Sequence, residues 1–92
     1  MVKNSLSFED VWKSICEHEG EIFYLIRGDP FTYEIHGNFL IVSRTNRQLS
    51  KRNFQNGFSL LPLKGLGEIN RIIQGPSYVW AILNDKRIMK NE

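Results

Sequence analysis

The sequence predicts a single α+β domain covering residues 1–92, and three patterns lead to this fold class. A helical apolar face recurs near the N-terminus, strand-type residues surround a Gly-Asn pair, and helix-start signals precede two apolar stretches further on. With 92 residues, 41% of them hydrophobic, the chain has enough material for one core. We expect an N-terminal helix, a three-stranded antiparallel meander, and two or three short C-terminal helices packed on one face.

The first helix is predicted over residues 8–19. Ser7 is a suitable N-cap, and Glu9 and Asp10 lie in the first turn, where the helix dipole favours carboxylates. Gly20 can adopt the left-handed conformation that ends a helix. The side chains that recur on one helical face are Phe8, Val11, Trp12, Ile15 and Cys16.

Three strands are predicted next. Residues 21–27 form a β-branched and aromatic run that a Gly-Asp-Pro sequence ends, and residues 31–36 alternate apolar with polar side chains. Gly37 and Asn38 suit a two-residue hairpin turn because both tolerate positive φ. Residues 39–43 then form the returning strand.

A second helix is predicted from Ser50 to the neighbourhood of Pro62. Ser50 is a suitable N-cap, and the apolar residues Leu49 and Phe54 have the spacing of a hydrophobic staple around it. Isoleucines at 69, 72 and 73 indicate a short third helix, which Gly75 closes.

The last element is predicted as a helix starting at Pro76 and Ser77 and running through the apolar residues 78–83. A buried strand is the alternative, because a short apolar run does not distinguish the two.

Charge is distributed unevenly along the chain. Residues 1–43 contain three Lys and Arg against seven acids, a net charge of −4, whereas residues 44–92 contain nine against three, a net charge of +6. No acid occurs between Glu34 and Glu68. This asymmetry indicates an anionic partner for the second half, with an incidental imbalance as the alternative.

The cysteine count and hydropathy indicate a cytoplasmic protein. Cys16 is the only cysteine, so an internal disulfide cannot form, as suits a reducing compartment. The N-terminus has no apolar signal core, and the longest apolar runs are far shorter than the roughly 20 residues that span a bilayer. We therefore expect neither secretion nor a membrane partner.

A basic segment, residues 44–53, is the strongest candidate site. It is predicted to run from a strand end through a loop into a helix N-terminus, where free N–H groups and the helix dipole attract phosphate. Arginine adds a forked pair of donors suited to phosphate oxygens. The alternative is a solvated loop with an ordinary cap. The predicted nucleic-acid- or phosphate-binding residues are Arg44, Thr45, Asn46, Arg47, Ser50, Lys51, Arg52 and Asn53.

A second candidate set could line a pocket or stack on bases. Aromatic side chains on the predicted strands lie near Arg27, and Tyr24 and Tyr33 are the ones expected to be exposed. Ser77 and Tyr78, at the start of the last helix, are predicted to line a pocket with the basic segment. Core packing is the alternative for all these aromatics. The pocket or stacking residues are Arg27, Tyr33, Ser77 and Tyr78.

No catalytic or metal site is predicted. Cys16 and His18 are two residues apart on a helix, so they point in different directions and do not form a nucleophile–base pair. A second histidine with metal-ligand spacing is missing from that helix face. The sequence contains no glycine-rich phosphate loop and no nucleophile elbow. We expect a non-enzymatic chain without a cofactor.

Residues 44–54 (Arg-Thr-Asn-Arg-Gln-Leu-Ser-Lys-Arg-Asn-Phe) together with residues 75–83 (Gly-Pro-Ser-Tyr-Val-Trp-Ala-Ile-Leu) carry a resemblance. In this C-terminal half the chain resembles small bacterial and phage modules, some of them similar to accessory segments of restriction or DNA-processing proteins. The resemblance implies association with nucleic acid and carries over no catalytic residue.

The sequence therefore favours a small binding module for nucleic acid or a nucleotide phosphate. The alternative is a protein-interaction module, such as a regulator or inhibitor of a larger bacterial or phage enzyme, or a homodimer. In that alternative, the acidic face of the first helix and the basic second half meet oppositely charged partners.

Overall fold

Three helices and five short strands make up the part of the chain that the computed structural model describes, residues 7–59 and 74–89. The predicted α+β class is confirmed, and so is the helical form of residues 76–83. The predicted third helix near residues 69–73 and the end of the second helix near Pro62 lie outside the described residues. The elements are α1 Phe8–Glu17, β1 Phe23–Tyr24, β2 Pro30–Phe31, β3 Tyr33–His36, β4 Phe39–Val42, β5 Gln48–Ser50, α2 Lys51–Ser59 and α3 Pro76–Leu83.

Helix α1 begins with the predicted N-cap. The Ser7 hydroxyl accepts a hydrogen bond from the Asp10 N–H at 3.2 Å, and the Asp10 carboxylate accepts one from the Ser7 N–H at 3.4 Å. This reciprocal capping box satisfies two N–H groups that the helix itself cannot. The helix ends at Glu17, two residues earlier than predicted, and the chain turns at Gly20, which has a φ of +87°.

The three-stranded antiparallel sheet has the order β3-β4-β5, so its third strand is β5 and not residues 21–27 as predicted. Of residues 21–27 only β1 is a strand. The chain then turns at Gly28, whose φ is +97° and whose N–H donates to the Leu25 carbonyl at 2.7 Å. β1 therefore pairs with β2 in a separate two-stranded sheet.

The pairing of β3, β4 and β5 places each side chain of these strands on one of the two faces of the sheet. Tyr33 pairs with Val42, and Leu40 pairs with Leu49 of β5, which places these apolar side chains on one buried face. The opposite face, called the outer face here, is exposed or half-buried at each described position, so the helices cover the buried face. The outer-face residues of the three strands are Glu34, His36, Phe39, Ile41, Gln48 and Ser50.

The turn of this hairpin uses one positive φ and not two. Gly37 has a φ of +62°, but Asn38 does not have a positive φ. Among the described non-glycine residues, Asn46 is the one that does. The two-residue hairpin predicted at Gly37 and Asn38 is confirmed by the pairing of His36 with Phe39. A positive φ at only the first central residue is the pattern of a type II′ turn, whose twist matches the flanking strands.

Helix α1 is attached to the sheet through a buried tyrosine. The Tyr33 hydroxyl donates a hydrogen bond of 2.6 Å to the Ile15 carbonyl, and the Tyr33 ring lies 5.3 Å from the Phe23 ring. Leu49 and Phe54, the pair of the predicted staple, are both buried on the same side. Helix α2 thereby joins α1 in covering the sheet.

Gly57 allows α2 and α3 to approach closely. A Cβ atom at Gly57 would lie 2.9 Å from Cγ1 of Val79 and 3.3 Å from Cδ1 of Leu83. Both neighbours are buried, so neither side chain has free space to move into. The glycine costs helix propensity but permits this packing.

We expect the Gly57→Ala substitution to lower the free energy of unfolding by about 1 kcal/mol, because overpacking outweighs the roughly 1 kcal/mol gain in helix propensity. Urea denaturation measures this change. The matched control is Asn56→Ala on the exposed face of the same helix, which should be stabilising. Equal stabilisation by both substitutions would contradict the close approach of α2 and α3.

Arg87, after α3, ties the end of the described chain to β1. Its guanidinium donates to both Asp85 carboxylate oxygens at 2.9 Å, to the Glu21 carboxylate at 3.2 Å and to the Ile22 carbonyl at 3.0 Å. It also lies 3.8 Å from the centroid of the Phe23 ring. The hydrogen bonds from Arg87 hold the pKa of the Asp85 carboxyl below its ordinary value.

This lowered pKa predicts a pH-dependent contribution to stability. A carboxyl whose pKa is lower in the folded state stabilises the fold above its unfolded pKa of about 3.9, and the contribution is lost as the pH falls through the folded value. Asp85→Asn should therefore cost about 1 kcal/mol at neutral pH, a modest value because Arg87 is partly exposed to solvent. The difference between the two proteins should shrink below pH of about 4.

Chemical denaturation across this pH range measures the effect, with Glu17→Gln, a change at an exposed carboxylate, as the control. A constant difference between Asp85→Asn and the parent protein at all pH values would argue against the ion pair as its cause.

Candidate functional site

The basic segment contains a strand where a loop was predicted. Asn46, with a φ of +55°, donates its N–H to the Val42 carbonyl at 2.8 Å, and the Thr45 hydroxyl accepts from the Arg47 N–H at 3.2 Å. This tight turn brings β5 alongside β4, where Leu49 finds a buried position. Thr45 and Asn46 therefore have a structural role in forming this turn.

Three arginines of the segment have no carboxylate partner among the residues that the structure describes. Arg44 contacts the Pro30 carbonyl at 3.5 Å, and Arg47 donates to the Gln74 side-chain oxygen at 2.9 Å, so both have neutral acceptors. Arg52 is exposed in the first turn of α2. Within residues 7–59 and 74–89, no carboxylate oxygen lies within 4.0 Å of any of the three guanidinium groups.

Lys51 differs from these arginines because it has a carboxylate partner. Its ammonium lies 3.3 Å from the Glu9 carboxylate of α1 and 5.9 Å from the centroid of the Trp12 ring. This pairing joins α2 to α1 and reduces the charge that Lys51 can offer to an anion. Lys51 is therefore less suited to bind phosphate than its place in the basic segment predicts.

The start of α2 has fewer free N–H groups than the sequence predicts. The Lys51 N–H donates to the Asn38 carbonyl at 2.7 Å, and the Asn53 N–H donates to the Ser50 hydroxyl at 3.1 Å. Ser50 is thus the N-cap, as predicted. Because the helix start satisfies these groups internally, an anion at this segment would depend on arginine side chains and not on a backbone cradle.

Asn53 is a structural residue and not a surface ligand. It is only 8% exposed, its amide nitrogen donates to the Gln74 carbonyl at 2.8 Å, and its amide oxygen accepts from the Gln74 N–H at 2.9 Å. This reciprocal pair uses both ends of the amide. The prediction that Asn53 orients a phosphate is therefore wrong, and its burial is the reason.

Tyr33 was predicted to be exposed, and this prediction is wrong. Its side chain is fully buried, and its hydroxyl is bonded to α1. Burial raises the pKa of the Tyr33 hydroxyl, so it stays protonated as the donor to Ile15. A base cannot stack on a ring that has no accessible face.

The other members of the second candidate set occupy partly accessible positions. Arg27 is exposed in the turn after β1. Ser77 and Tyr78 are half-buried in the first turn of α3, and the Tyr78 ring meets the Phe31 ring edge-on at 5.1 Å. Tyr78 thus contributes to the core as well as to the surface.

The structure places the start of α3 beside the basic segment. Arg47 bonds Gln74, whose neighbour Gly75 is the N-cap of α3. Arg44 contacts Pro30, whose neighbour Phe31 packs against Tyr78. This proximity is what the pocket-lining prediction requires of Ser77 and Tyr78.

The geometry of the described residues does not support a catalytic or a metal-binding role. Burial raises the pKa of the Cys16 thiol, which makes it less reactive, and His18 is hydrogen-bonded to Glu21 at 3.0 Å. In the described part of the chain, no three His, Cys, Asp or Glu side chains form a group that could hold a metal ion.

Exposed aromatic side chains occur at two places on the outer side of the strands. Tyr24 is 60% exposed, as predicted, and Phe39 is 45% exposed. In the sequence, Phe39 is one of several aromatic residues on predicted strands. It lies in a run of four apolar residues, and such a run does not show which alternate side chains face solvent. Only the pairing of β4 with its neighbours places Phe39 and Ile41 on the outer face.

No known protein family, curated protein or solved structure matches this chain. The resemblance of its C-terminal half to small bacterial and phage modules stays a prediction. The helices in the described ranges are all too short or too polar to cross a membrane.

Proposed function

We propose that this chain is a small, non-catalytic module that binds nucleic acid or a nucleotide phosphate through Arg44, Arg47 and Arg52. One observation carries the proposal: these three guanidinium groups lie along one strand–helix connection with no described carboxylate within 4.0 Å. Elsewhere two acidic residues of the first half pair with cations, Glu9 with Lys51 and Glu21 with Arg87.

The local chemistry of the segment supports an anionic ligand. The neutral acceptors on Arg44 and Arg47 orient each guanidinium while leaving its positive charge intact, and each group retains further donors. Planar forked donors of this kind match phosphate oxygens. A cytoplasmic location belongs to the same proposal, since a chain with one cysteine forms no internal disulfide.

The phosphate contacts can be tested by charge reversal. The double substitution Arg47→Glu and Arg52→Glu should weaken binding of labelled oligonucleotides by more than about tenfold at about 50 mM salt, because two counterion-releasing contacts are lost. The slope of log affinity against log salt should become less steep by roughly 1.4 to 1.8. Fluorescence anisotropy measures both quantities.

The matched control is Lys13→Glu with Lys86→Glu, which changes the net charge equally at two exposed positions outside the segment. An equal loss of affinity in both double variants, or none in the first, would contradict the proposed site.

A protein-interaction module is the second candidate, favoured by an exposed apolar patch. Ile22, Tyr24 and Ile26 are 52%, 60% and 62% exposed and lie close together in the chain. Exposed apolar groups of this kind are typical of protein contact surfaces. The partner that the chain itself supplies is a second copy.

If a homodimer forms through this patch, sedimentation velocity should show a concentration-dependent increase in mass. The double substitution Ile22→Ser and Ile26→Ser should remove the increase, since it deletes apolar contact area and leaves Tyr24 and all charges unchanged. A protein that stays monomeric at every concentration would exclude this homodimer.

A further inference from the structure

We infer that the ligand of this module is a single-stranded polynucleotide whose bases stack on Tyr24 and Phe39 while its phosphates contact Arg44 and Arg52. The inference rests on the proposed function and adds the class of nucleic acid and the surface that reads it.

Tyr24 and Phe39 lie on the same side of the strands. Tyr24 pairs with Pro30, and both are exposed, while their neighbours Phe23 and Phe31 are buried. From Pro30 onward the exposed and buried sides alternate through Thr32 to His36, which pairs with Phe39. The exposed side of the two-stranded sheet thus continues into the outer face of the three-stranded sheet.

Two hydrogen bonds between Thr32 and Ser43 support this continuity. The Thr32 N–H donates to the Ser43 hydroxyl at 2.9 Å, and its carbonyl accepts from the Ser43 N–H at 2.9 Å. These bonds extend the β3–β4 ladder toward β2, so the chain does not change faces between the two sheets. From Pro30 to His36 the surface runs for roughly 20 Å at the usual rise of a strand.

Cations lie at both ends of this surface. Arg44 contacts the carbonyl of Pro30, the residue paired with Tyr24. At the other end, Ser50 pairs with Phe39, and Arg52 follows Ser50 by two residues. Each of the two aromatic residues is therefore paired with a residue that an arginine contacts or closely follows in the chain.

Exposed aromatic side chains beside arginines that no described carboxylate neutralises favour a ligand with unpaired bases. A base can stack on an aromatic ring only where its face is free, as in single strands, and such stacking is tolerant of sequence. A strand with bases stacked about 3.4 Å apart would place several nucleotides across the roughly 20 Å surface. In a duplex, each base face is instead covered by the neighbouring base pair of the stack, so it is not free to stack on a protein ring.

Glu34 opposes this arrangement and offers an independent check. Its carboxylate lies on the outer face between the two rings and is 3.1 Å from His36. Repulsion between this carboxylate and the phosphates predicts that Glu34→Gln strengthens binding of the single strand. If the strand does not cross this face, the substitution should leave the affinity unchanged.

The test uses the full chain with labelled oligodeoxythymidine, oligouridine and a duplex, each about 12 nucleotides long, within the range of single-strand site sizes. We expect tighter binding to the single strands than to the duplex. Phe39→Ala and Tyr24→Ala should each weaken single-strand binding about fivefold or more, with the salt slope unchanged, because stacking is lost while phosphate contacts remain.

Phe39→Trp should retain binding, and its fluorescence should be quenched as a base stacks on it; Ile22→Ala, at an exposed apolar position, should change nothing. All substituted positions are exposed, and circular dichroism checks that each variant folds. The two single-stranded probes distinguish RNA from DNA as the source of the ligand.

The outcomes separate this inference from the proposed function. Absence of binding to any probe would overturn both. Single-strand affinity that Phe39→Ala and Tyr24→Ala leave unchanged, or a preference for the duplex, would overturn the stacking surface while leaving the arginine contacts in place.

Discussion

The register of the β3–β4 hairpin is the constraint on which the rest of the described structure depends. Because side chains alternate along a strand, a slip of one residue between β3 and β4 would move either Tyr33 or both Leu40 and Val42 from the core to solvent. A slip that turned Tyr33 outward would bury the hydrogen-bonded side chains of Glu34 and His36 beneath the helices. The tight turn at Gly37 and the apolar face together exclude that alternative.

This register determines where the helices attach and what they leave exposed. With Tyr33 directed inward, its hydroxyl reaches the Ile15 carbonyl and holds α1 on the sheet. With Leu49 buried and paired to Leu40, the chain enters α2 directly from a hydrogen-bonded strand. The outer face is left with Phe39 and the neighbouring polar side chains, which is why the candidate stacking surface lies there.

Within residues 7–59 and 74–89, some Lys and Arg side chains have a carboxylate partner and others do not. Lys51 and Arg87 each join distant parts of the chain through carboxylates, to α1 in one case and to the segment before β1 in the other. Arg44 and Arg47 are held by neutral oxygen atoms. Charge used in a structural ion pair is less available to a ligand, so the arginines are the part of the basic segment suited to binding.

Local signals in the sequence determined the elements whose ends depend on a few neighbouring residues. Ser7 with Asp10 predicts the start of α1, Ser50 predicts the start of α2, and Pro76 predicts the start of α3, because capping is a contact within one helical turn. The acid-free stretch that contains the arginines is likewise visible in the sequence. These features need no knowledge of the rest of the fold.

Tertiary structure alone decided which residues of the candidate site can reach a ligand. The pairing of Lys51 with Glu9, the burial of Tyr33 and the use of Asn53 by Gln74 all involve partners at least 18 residues away. The choice of β5 over residues 21–27 as the third strand is also a long-range outcome, since it depends on where Leu49 is buried. Contacts between distant residues exist only after the chain has folded, so a local pattern cannot specify them.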